Sequence, residues 1–442
     1  MRKSSPNQRL ALHGGPPTRS RPWLDNFTTG PAEERAAVRA IRSGHLSLFE
    51  GSHTPDPPFS FRGGPEVQRL ESLWRDYYGC AHAVSVNSAT SGLYAAIGAL
   101  GLGYGDEVIV SPYTMTACAL APLIYGAIPV FADVEPETGC LDPKSIERLA
   151  GPRTKAVIVV HQFGFPADMG AIMRIAREKG LKVIEDCAQA HGAKLNGRFV
   201  GTFGDIGVFS LNVNKTIQTG EGGVCITNHK ELEYRLALIR NHGEAVVGPA
   251  GYKNIVNIAG FNYRLTEVHA AMAQEQLAKL DRLNERRLRL VERLTRGLRG
   301  LDFLRLPNDR PGARATYYIY SLRFVPEIAG YLRAAFASAL CAEGIPFYEG
   351  YTKPLYLQPL YQTRKLFKAG YPFQAPANKK CRMIYAPGTC PTAERLHFKE
   401  LLVNEHVRPP HVAADIQDII RAVHKVAAGL GISSSHQRRN IV

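Results

Sequence analysis

The stretch that decides the fold is AVIVVHQFGFPADMGAIMRIAREKGLKVIE, residues 156 to 185. It begins and ends with short apolar runs, 156–160 and 182–185, that are rich in Val and Ile and do not alternate strictly with polar residues. Such runs are typical of strands buried on both faces of a sheet. The segment between them, 169–179, has helical spacing and ends in basic residues followed by Gly180. The order of these segments predicts a βαβ unit with parallel strands.

The same pattern extends in both directions from this unit. Five more apolar runs are predicted strands, and three more segments are predicted helices. The strands are expected at 82–86, 107–111, 128–132, 206–210 and 223–227, and the helices at 90–100, 114–124 and 143–150. This alternation predicts an α/β fold whose large domain contains a mostly parallel, seven-stranded sheet.

The pattern changes after residue 285. A basic amphipathic helix is followed by the strand-like run TYYIYSLRF, a helix at 330–342, a stretch rich in Pro and Tyr, and a last helix near 413–429. We therefore predict an N-terminal arm at 1–27, a large α/β domain at 28–285, a smaller C-terminal α+β domain at 286–430 and a disordered tail at 431–442.

The composition is that of an ordinary globular protein, with 45% hydrophobic and 21% charged residues. No apolar run has the length of a membrane-spanning helix, and the basic N-terminus lacks the apolar core of a signal peptide. A cytoplasmic protein with no membrane partner is therefore expected. The eight cysteines are scattered, without a C-x-x-C pair or a His at ligand spacing, so neither a metal site nor a disulfide framework is predicted.

The formal net charge of +15 has two interpretations. One is a surface that binds nucleic acid, because Lys and Arg concentrate at 277–299 and at both ends of the chain. The other is the solvent-exposed face of an amphipathic helix, since leucines recur through 277–299 at roughly helical spacing. We favour the helix over nucleic acid, and attraction of a phosphorylated substrate fits both interpretations.

Polar side chains follow the predicted strands at the points where ligands bind to such sheets. Asp186 comes directly after the strand at 182–185. It is either the N-cap of a following helix or a fixed anion that faces a ligand. Gln189 and His191 lie a few residues further on, within reach of the same ligand.

A second and a third strand end add different chemistry. The stretch NSATSG, residues 87–92, opens a helix with small side chains and free backbone N–H groups, which suits a phosphate. The alternative is simple N-capping by Ser88 or Thr90. Ser210 ends another strand, five residues ahead of Lys215. The chain has neither a P-loop motif nor a dinucleotide-binding fingerprint.

Three strand ends thus offer a phosphate site, a carboxylate and an amine. Pyridoxal phosphate (PLP) requires these three partners, for its phosphate, its ring nitrogen and its aldehyde. In this hypothesis Lys215 forms the Schiff base, and Asp186 keeps the ring nitrogen protonated so that the ring draws electrons from the substrate.

Three motifs resemble those of the DegT/DnrJ/EryC1/StrS family of sugar aminotransferases, which are PLP enzymes of fold type I. They are VIEDCAQAHGA, GTFGDIGVFSLNVNKTIQTGEGG and GFNYRLTEVHAAMAQEQL, and the likeness extends through nearly the whole chain. The resemblance implies that Lys215 is the Schiff-base lysine and proton shuttle. It also implies that Asp186 is the partner of the pyridine nitrogen and that Gln189 contacts the side of the ring with the phenolic oxygen.

The resemblance implies further contacts. Thr90, Ser91 and Ser210 match phosphate-binding positions. Asn262 matches a residue that reaches the cofactor phosphate of the neighbouring subunit, which implies a homodimer with shared active sites. Arg264 matches a position near the anionic groups of the substrate.

Two positions depart from the family pattern. Met115 stands where many members stack an aromatic ring on the cofactor, so either its thioether or the nearby Tyr113 is expected to cover the ring. Tyr356 stands where many relatives have a histidine near the sugar. The expected substrate contacts are therefore Arg264, Tyr356 and His191.

The predicted activity is that of an aminotransferase that moves an amino group from glutamate or glutamine to a keto sugar or keto-cyclitol, with Lys215 as acid and base. The stretches GGPPTR and PLYLQPLY favour members of aminocyclitol and antibiotic-type pathways. A PLP-dependent sugar dehydratase is disfavoured, because a histidine replaces the lysine in that branch. Another fold type I reaction and a non-enzymatic regulator or nucleic-acid-binding protein are the remaining alternatives.

Overall fold

A computed structural model describes residues 9–52 and 56–432. Apart from residues 431 and 432, the predicted disordered tail lies outside this range, as does the start of the predicted arm. Within the described ranges, no helix combines the length and the apolar character needed to cross a membrane.

Helices and strands alternate from the first strand to the fifth. The helices are α1 (Pro31–Arg42), α2 (Pro65–Tyr78), α3 (Ala89–Ala99), α4 (Ala117–Ile124), α5 (Pro143–Leu149), α6 (Met169–Lys179), α7 (Lys230–Arg240), α8 (Glu267–Leu277), α9 (Leu280–Leu298), α10 (Pro326–Ala329), α11 (Arg333–Ala342), α12 (Pro359–Thr363), α13 (Pro391–Arg395) and α14 (Ala413–Gly429). The strands are β1 (His82–Val86), β2 (Glu107–Val110), β3 (Ile128–Phe131), β4 (Thr154–Val160), β5 (Lys182–Asp186), β6 (Lys194–Leu195), β7 (Arg198–Phe199), β8 (Ile206–Ser210), β9 (Gly223–Thr227), β10 (Leu304–Arg305), β11 (Ala313–Arg314), β12 (Tyr320–Phe324), β13 (Tyr348–Glu349) and β14 (Leu401–Asn404).

Seven strands form one sheet in the order β1-β9-β8-β5-β4-β2-β3. The pairs from β8 to β3 are parallel, and β9 runs antiparallel to both of its neighbours. These are the seven strands predicted from the sequence, with ends that shift by at most two residues. The α/β fold with a mostly parallel sheet is therefore confirmed.

The βαβ unit at 154–186 shows why the sequence folds in this way. Asp168 caps α6 by accepting a hydrogen bond from the Ala171 N–H (3.0 Å). Gly180 ends the helix with a φ of 65°, a left-handed conformation that favours glycine. Every residue of β4 except Lys155 is buried, as expected for a strand covered on both faces.

The carboxyl ends of β1, β5 and β8 lie along one edge of the large sheet. Asp186 ends β5 and Ser210 ends β8. Ser210 pairs with Gly223, which also pairs with Val86. A Cβ atom on Gly223 would lie 2.8 Å from the Ala89 nitrogen, so only glycine fits where α3 begins over β9. This close packing brings the loop after β1 beside Ser210.

A second, antiparallel sheet of four strands, in the order β10-β12-β14-β13, lies in the C-terminal region. α14 packs against both α9 and α11. The region is α+β, although the central strand β14 was not predicted from the sequence. The predicted domain boundary at 285–286 falls inside α9, and the division into two domains stays a prediction.

The basic segment forms the amphipathic helix α9. Its buried apolar side chains are Leu280, Leu283, Leu290, Val291, Leu294 and Leu298. Its exposed arginines are Arg282, Arg286, Arg289, Arg293 and Arg296. Arg287 is an exception, because it is 2% exposed and its Nη1 donates to Thr216 Oγ1 (2.8 Å). The expectation of a solvent-exposed basic face is thus correct for this helix but wrong for Arg287.

Candidate active site

Lys215 lies in the loop that joins β8 to β9. The loop begins at Ser210, whose Oγ accepts a hydrogen bond from the Asn212 N–H (3.3 Å). The Lys215 N–H donates to the Asn212 carbonyl (2.9 Å). The Lys215 amine lies 4.6 Å from the centre of the Tyr318 ring. Because an ammonium group is attracted to the negative face of an aromatic ring, Tyr318 helps to hold this amine at the edge of the sheet.

Asp186 is a buried carboxylate at the same edge, 6% exposed. No helix follows it, so the N-cap interpretation is wrong; its Oδ1 accepts a hydrogen bond from the Ala188 N–H (2.9 Å) in a local turn. The Cys118 thiol donates to Oδ2 (3.0 Å). Burial, together with the charge of Asp186, raises the pKa of Cys118 well above its usual range, so this group stays a thiol and a donor. Within the described chain Asp186 has no salt-bridge partner, and a bound cation would balance its charge.

Gln189 joins the large sheet to the C-terminal region. Its Oε1 accepts a hydrogen bond from the Phe163 N–H (2.8 Å), and its Nε2 donates to the Tyr351 hydroxyl (3.4 Å). The Tyr351 N–H donates in turn to the hydroxyl of Tyr113, which is fully buried. Met115, by contrast, is 53% exposed. Of the two candidates for covering the cofactor ring, only Met115 presents an open side chain.

His191 lies in the core behind Lys215. It is fully buried, and its ring packs against Trp74 and Phe209. Neither ring nitrogen has a well-aligned hydrogen-bond partner among the described residues, although the Ser210 backbone lies close to the ring. Burial, assisted by the charge of Lys215, lowers the pKa of His191 to about 3, so the ring is neutral at neutral pH. The structure therefore gives no support to the predicted contact between His191 and substrate.

The turn that opens α3 contains the predicted phosphate ligands. Ser88 caps the helix by accepting a hydrogen bond from the Ser91 N–H (3.0 Å), which confirms the N-cap alternative for Ser88. The Ser91 hydroxyl donates to Asn87 Oδ1 (2.6 Å). Thr90 is exposed on this turn. The turn can therefore cap its own helix and still offer the Thr90 hydroxyl to a ligand.

The backbone at Asn262 approaches this turn within the same chain, and Arg264 contacts Asn241. The Asn87 side-chain amide donates to the Asn262 carbonyl (3.2 Å), and the Asn87 N–H donates to the Tyr263 carbonyl (2.8 Å). Arg264 Nη1 donates to Asn241 Oδ1 (3.0 Å). The Asn262 side chain is exposed. Its predicted reach to the cofactor of a neighbouring subunit stays a prediction.

Tyr356 does not face an open site. It is fully buried, its hydroxyl bonds to the Glu394 carboxylate, and the same hydroxyl accepts a hydrogen bond from the Cys390 N–H (3.2 Å). Because these partners satisfy the hydroxyl inside the protein, the structure gives no support to the predicted substrate contact.

Comparison with known families identifies the family of the chain. The model of the DegT/DnrJ/EryC1/StrS aminotransferase family matches residues 59–384. The chain belongs to this family.

Individual members of the family are similar over nearly the whole chain. The L-glutamine:2-deoxy-scyllo-inosose aminotransferase of Streptomyces kanamyceticus is 35% identical, across 95% of this chain and 97% of the relative. The L-glutamine:scyllo-inosose aminotransferase of Streptomyces griseus is also 35% identical, across 94% and 97%. The crystal structure of DesI with its TDP-sugar product superposes with a TM-score of 0.77 at 26% identity, across 98% of this chain and all of that one. The protein is an aminotransferase.

Four residues of this candidate site were not predicted from the sequence. They are Cys118, Phe163, Tyr318 and Tyr351. Cys118 is three residues from Met115, and that proximity is the only sequence signal for it. Tyr318 and Tyr351 come from the C-terminal region, and no local pattern relates them to Lys215 or Gln189.

A buried cluster behind Asp186 consists of His161, Glu185 and Cys187. His161 Nδ1 accepts a hydrogen bond from the Ala167 N–H (3.1 Å), so Nε2 carries the proton and donates to Glu185 (3.0 Å). Two backbone N–H groups donate to the same carboxylate (2.8 and 2.6 Å). The His161 N–H also donates to the Asp186 carbonyl (3.1 Å). His161 and Glu185 thus have protein partners for their polar groups and fix the end of β5.

Proposed function

We propose that this aminotransferase binds PLP and transfers the amino group of L-glutamine to the ketone of a keto-cyclitol. The proposal is carried by one observation: the Lys215 amine, the Asp186 carboxylate and the turn that opens α3 follow the carboxyl ends of β8, β5 and β1, which lie along one edge of the sheet. The similarity to two glutamine:inosose aminotransferases, over nearly the full length of all three chains, supports the donor and the acceptor.

The residues at this edge fit PLP. Asp186 is a buried carboxylate with no cation beside it in the described chain, which suits a protonated ring nitrogen. The N-terminus of α3, with the Thr90 hydroxyl and the nearby Ser210, provides donors for a phosphate. Ser91 stays a predicted ligand whose hydroxyl would have to turn away from Asn87 to donate to the phosphate. Lys215 supplies the amine that an aldehyde requires.

Two further cofactor contacts are assigned from the exposure and the hydrogen bonds of the side chains. We assign the face of the ring to Met115, because its side chain is open while Tyr113 is enclosed with its hydroxyl bonded. The Gln189 amide, fixed by Phe163 and Tyr351, is assigned to the side of the ring with the phenolic oxygen.

When bound, PLP supplies an electron sink that stabilises negative charge on the carbon that carries the transferred amino group. Lys215 Nζ removes the proton from the α-carbon of glutamine and later delivers a proton to the acceptor carbon. The Ala188 N–H and the Cys118 thiol fix the orientation of the Asp186 carboxylate towards the ring nitrogen. The Tyr318 ring covers the Lys215 amine and keeps water from that side.

A keto sugar is the second candidate acceptor. DesI, whose structure contains a TDP-sugar product, covers nearly the whole chain. We rank it second because its identity is 26%, against 35% for the inosose aminotransferases. A dehydratase is not proposed, since Lys215 occupies the position of the histidine that the dehydratase branch requires.

The proposal also covers the oligomeric state of the protein and one substrate contact. We propose a homodimer in which Asn262 of each chain reaches the neighbouring active site, and the exposure of this side chain supports it. Arg264 is kept as the candidate contact to an anionic substrate group. Cytoplasmic location stays a prediction.

The test uses purified protein with PLP, L-glutamine and three acceptors: scyllo-inosose, 2-deoxy-scyllo-inosose and a nucleotide-linked keto sugar. We expect mass spectrometry to detect the amino-cyclitol, and borohydride reduction to attach the cofactor to the peptide that contains Lys215. The matched control is Lys144→Ala, because Lys144 is exposed and lies outside the site. This variant should still form the amino-cyclitol and should still carry the cofactor on the Lys215 peptide. Amination of the nucleotide sugar alone selects the second candidate, and the absence of any product with a Lys215 peptide left unmodified rejects the proposal.

A further inference from the structure

Buried charges fix the N-terminal arm to the C-terminal region. The Arg19 side chain is 2% exposed, and its Nη1 donates to Asp415 Oδ1 (2.9 Å) and Asp418 Oδ2 (3.0 Å) of α14. Glu343, which follows α11, accepts a hydrogen bond from the Thr18 N–H (2.9 Å). Separating such pairs leaves charges buried without partners, which is costly. This part of the arm therefore has one defined position on α11 and α14.

The arm then continues towards the loop that carries Lys215. The Trp23 ring stacks on His406, with 4.8 Å between the ring centres. The Leu24 N–H donates to His411 Nε2 (3.1 Å). Since these contacts leave little freedom to the next residues, the position of Asn26 is set by the C-terminal region.

Asn26 contacts the main chain of the Lys215 loop directly. Its side-chain amide nitrogen donates to the Val213 carbonyl (2.9 Å) and to the Lys215 carbonyl (2.9 Å). An amide rotated by half a turn would place its oxygen against two carbonyl oxygens, so the assigned orientation is the only favourable one. Both N–H groups of one side chain are thus used to hold this loop.

We propose that Asn26 is a positioning residue that fixes the backbone of Lys215 and, through it, the place of the Lys215 amine. The inference rests on the proposed role of Lys215. Loops move more than the strands they join, and a displacement of about 1 Å at a catalytic group can cost about 100-fold in rate. Through Arg19 and Thr18, the arm links this loop to α14 and to Glu343 at the end of α11.

Hydrogen–deuterium exchange of the full-length chain without PLP tests the contact independently of activity. In Asn26→Ala we expect the amides of residues 211–219 to exchange about tenfold faster, because two hydrogen bonds to the loop are lost. Asn26→Asp keeps the shape of the side chain but places oxygen atoms opposite both carbonyls, so its loop should exchange at least as fast as that of Asn26→Ala.

The matched control is Asn228→Ala. Asn228 is exposed and accepts a hydrogen bond from the Ala81 N–H (2.9 Å), on a part of the chain that does not touch the Lys215 loop. We expect unchanged exchange at 211–219 in this variant and melting temperatures near wild type for all three. If folded Asn26→Ala shows the same exchange at 211–219 as Asn228→Ala, the proposal is overturned.

Turnover then separates positioning from general stability. We expect kcat of Asn26→Ala to fall about tenfold with a KM for L-glutamine within about twofold of wild type, since the substrate contacts are intact. A raised KM with unchanged kcat contradicts the positioning role. If wild-type protein aminates no keto substrate while the exchange difference persists, the proposed function fails and the contact of Asn26 with the loop stands.

Discussion

The two sides of the candidate site come from different kinds of chain segment. The cofactor side consists of 87–92, 186–189 and 210–215, which all follow strands of the seven-stranded sheet. The facing side contains Tyr318 and Tyr351, which belong to the C-terminal region more than a hundred residues further along the chain. Carboxyl ends of parallel strands share an edge for topological reasons, so residues on the first side meet as soon as the sheet forms. Residues on the facing side reach the cofactor side only because the C-terminal region packs against the large sheet.

If this comparison is correct, changes on the cofactor side have larger effects than changes on the facing side. Lys215→Ala should reduce transamination by about 10⁴-fold or more, because it removes both the covalent anchor and the acid–base group. Turnover of L-glutamine with a keto-cyclitol, measured by product mass, checks the effect. Loss of activity to the same degree in Lys144→Ala, or full activity in Lys215→Ala, contradicts it.

Asp186→Asn should cost about 10²- to 10³-fold, because a neutral amide does not balance the charge on a protonated ring nitrogen. The substitution preserves shape, and the Ala188 N–H retains an acceptor, so the melting temperature should stay close to wild type. Single-turnover rates with L-glutamine check this prediction, and a rate within about threefold of wild type would contradict it.

On the facing side, Tyr318→Leu should reduce turnover by about fivefold, the value of a cation–π contact of about 1 kcal/mol. Tyr318→Phe keeps the ring over the Lys215 amine and should retain nearly full activity. Equal losses in the two variants would assign the effect to the hydroxyl group instead of the ring.

Substitutions of Cys118, which lies in α4, test whether its hydrogen bond to Asp186 contributes to turnover. Cys118→Ala removes the donor to Oδ2 and should lower turnover by about three- to tenfold, whereas Cys118→Ser replaces the thiol with another donor and should lower it less. Retention of PLP after dialysis provides a second measurement. Better retention in Cys118→Ala than in Cys118→Ser would contradict the role of the hydrogen bond.

The smallest effect on turnover is expected at His191, which lies in the core and not at the substrate. His191→Phe should keep turnover within about twofold near pH 7.5, because the replacement packs against Trp74 and Phe209. A large rise in the KM of either substrate would support the predicted contact between His191 and substrate.

The same variant should alter the dependence of stability on pH. The pKa of His191 is about 3 in the folded protein, against an ordinary value of 6.5, so the unfolded chain binds the extra proton between these values. Stability of the wild type therefore falls as pH drops from about 6.5 towards 3, and His191→Phe should show a smaller drop in melting temperature between about pH 7 and pH 5. Identical pH profiles would contradict the assigned burial.

The sequence predicted the elements of the cofactor side better than those of the C-terminal region. All seven strands of the large sheet and the strand ends that carry Asp186, Ser210 and Lys215 were predicted, because Val and Ile runs and their flanking turns are local signals. β14 was missed, although it is one of the two inner strands of the second sheet. His191 and Tyr356 are the reverse case, in which the structure gives no support to a predicted contact. Their positions in motifs suggested substrate contacts, but their side chains point into the interior.

The sequence by itself determined the α/β fold, the edge of the sheet proposed to bind a ligand and the chemical groups present there, since these depend on periodicity and on residues adjacent to strand ends. Only the tertiary structure decided which side chains surround that edge: Tyr318 over Lys215, Cys118 on Asp186, and Asn26 on the backbone of the Lys215 loop. These contacts join segments distant in the chain, and their geometry results from the packing of whole elements. No local pattern of residues encodes such a distance.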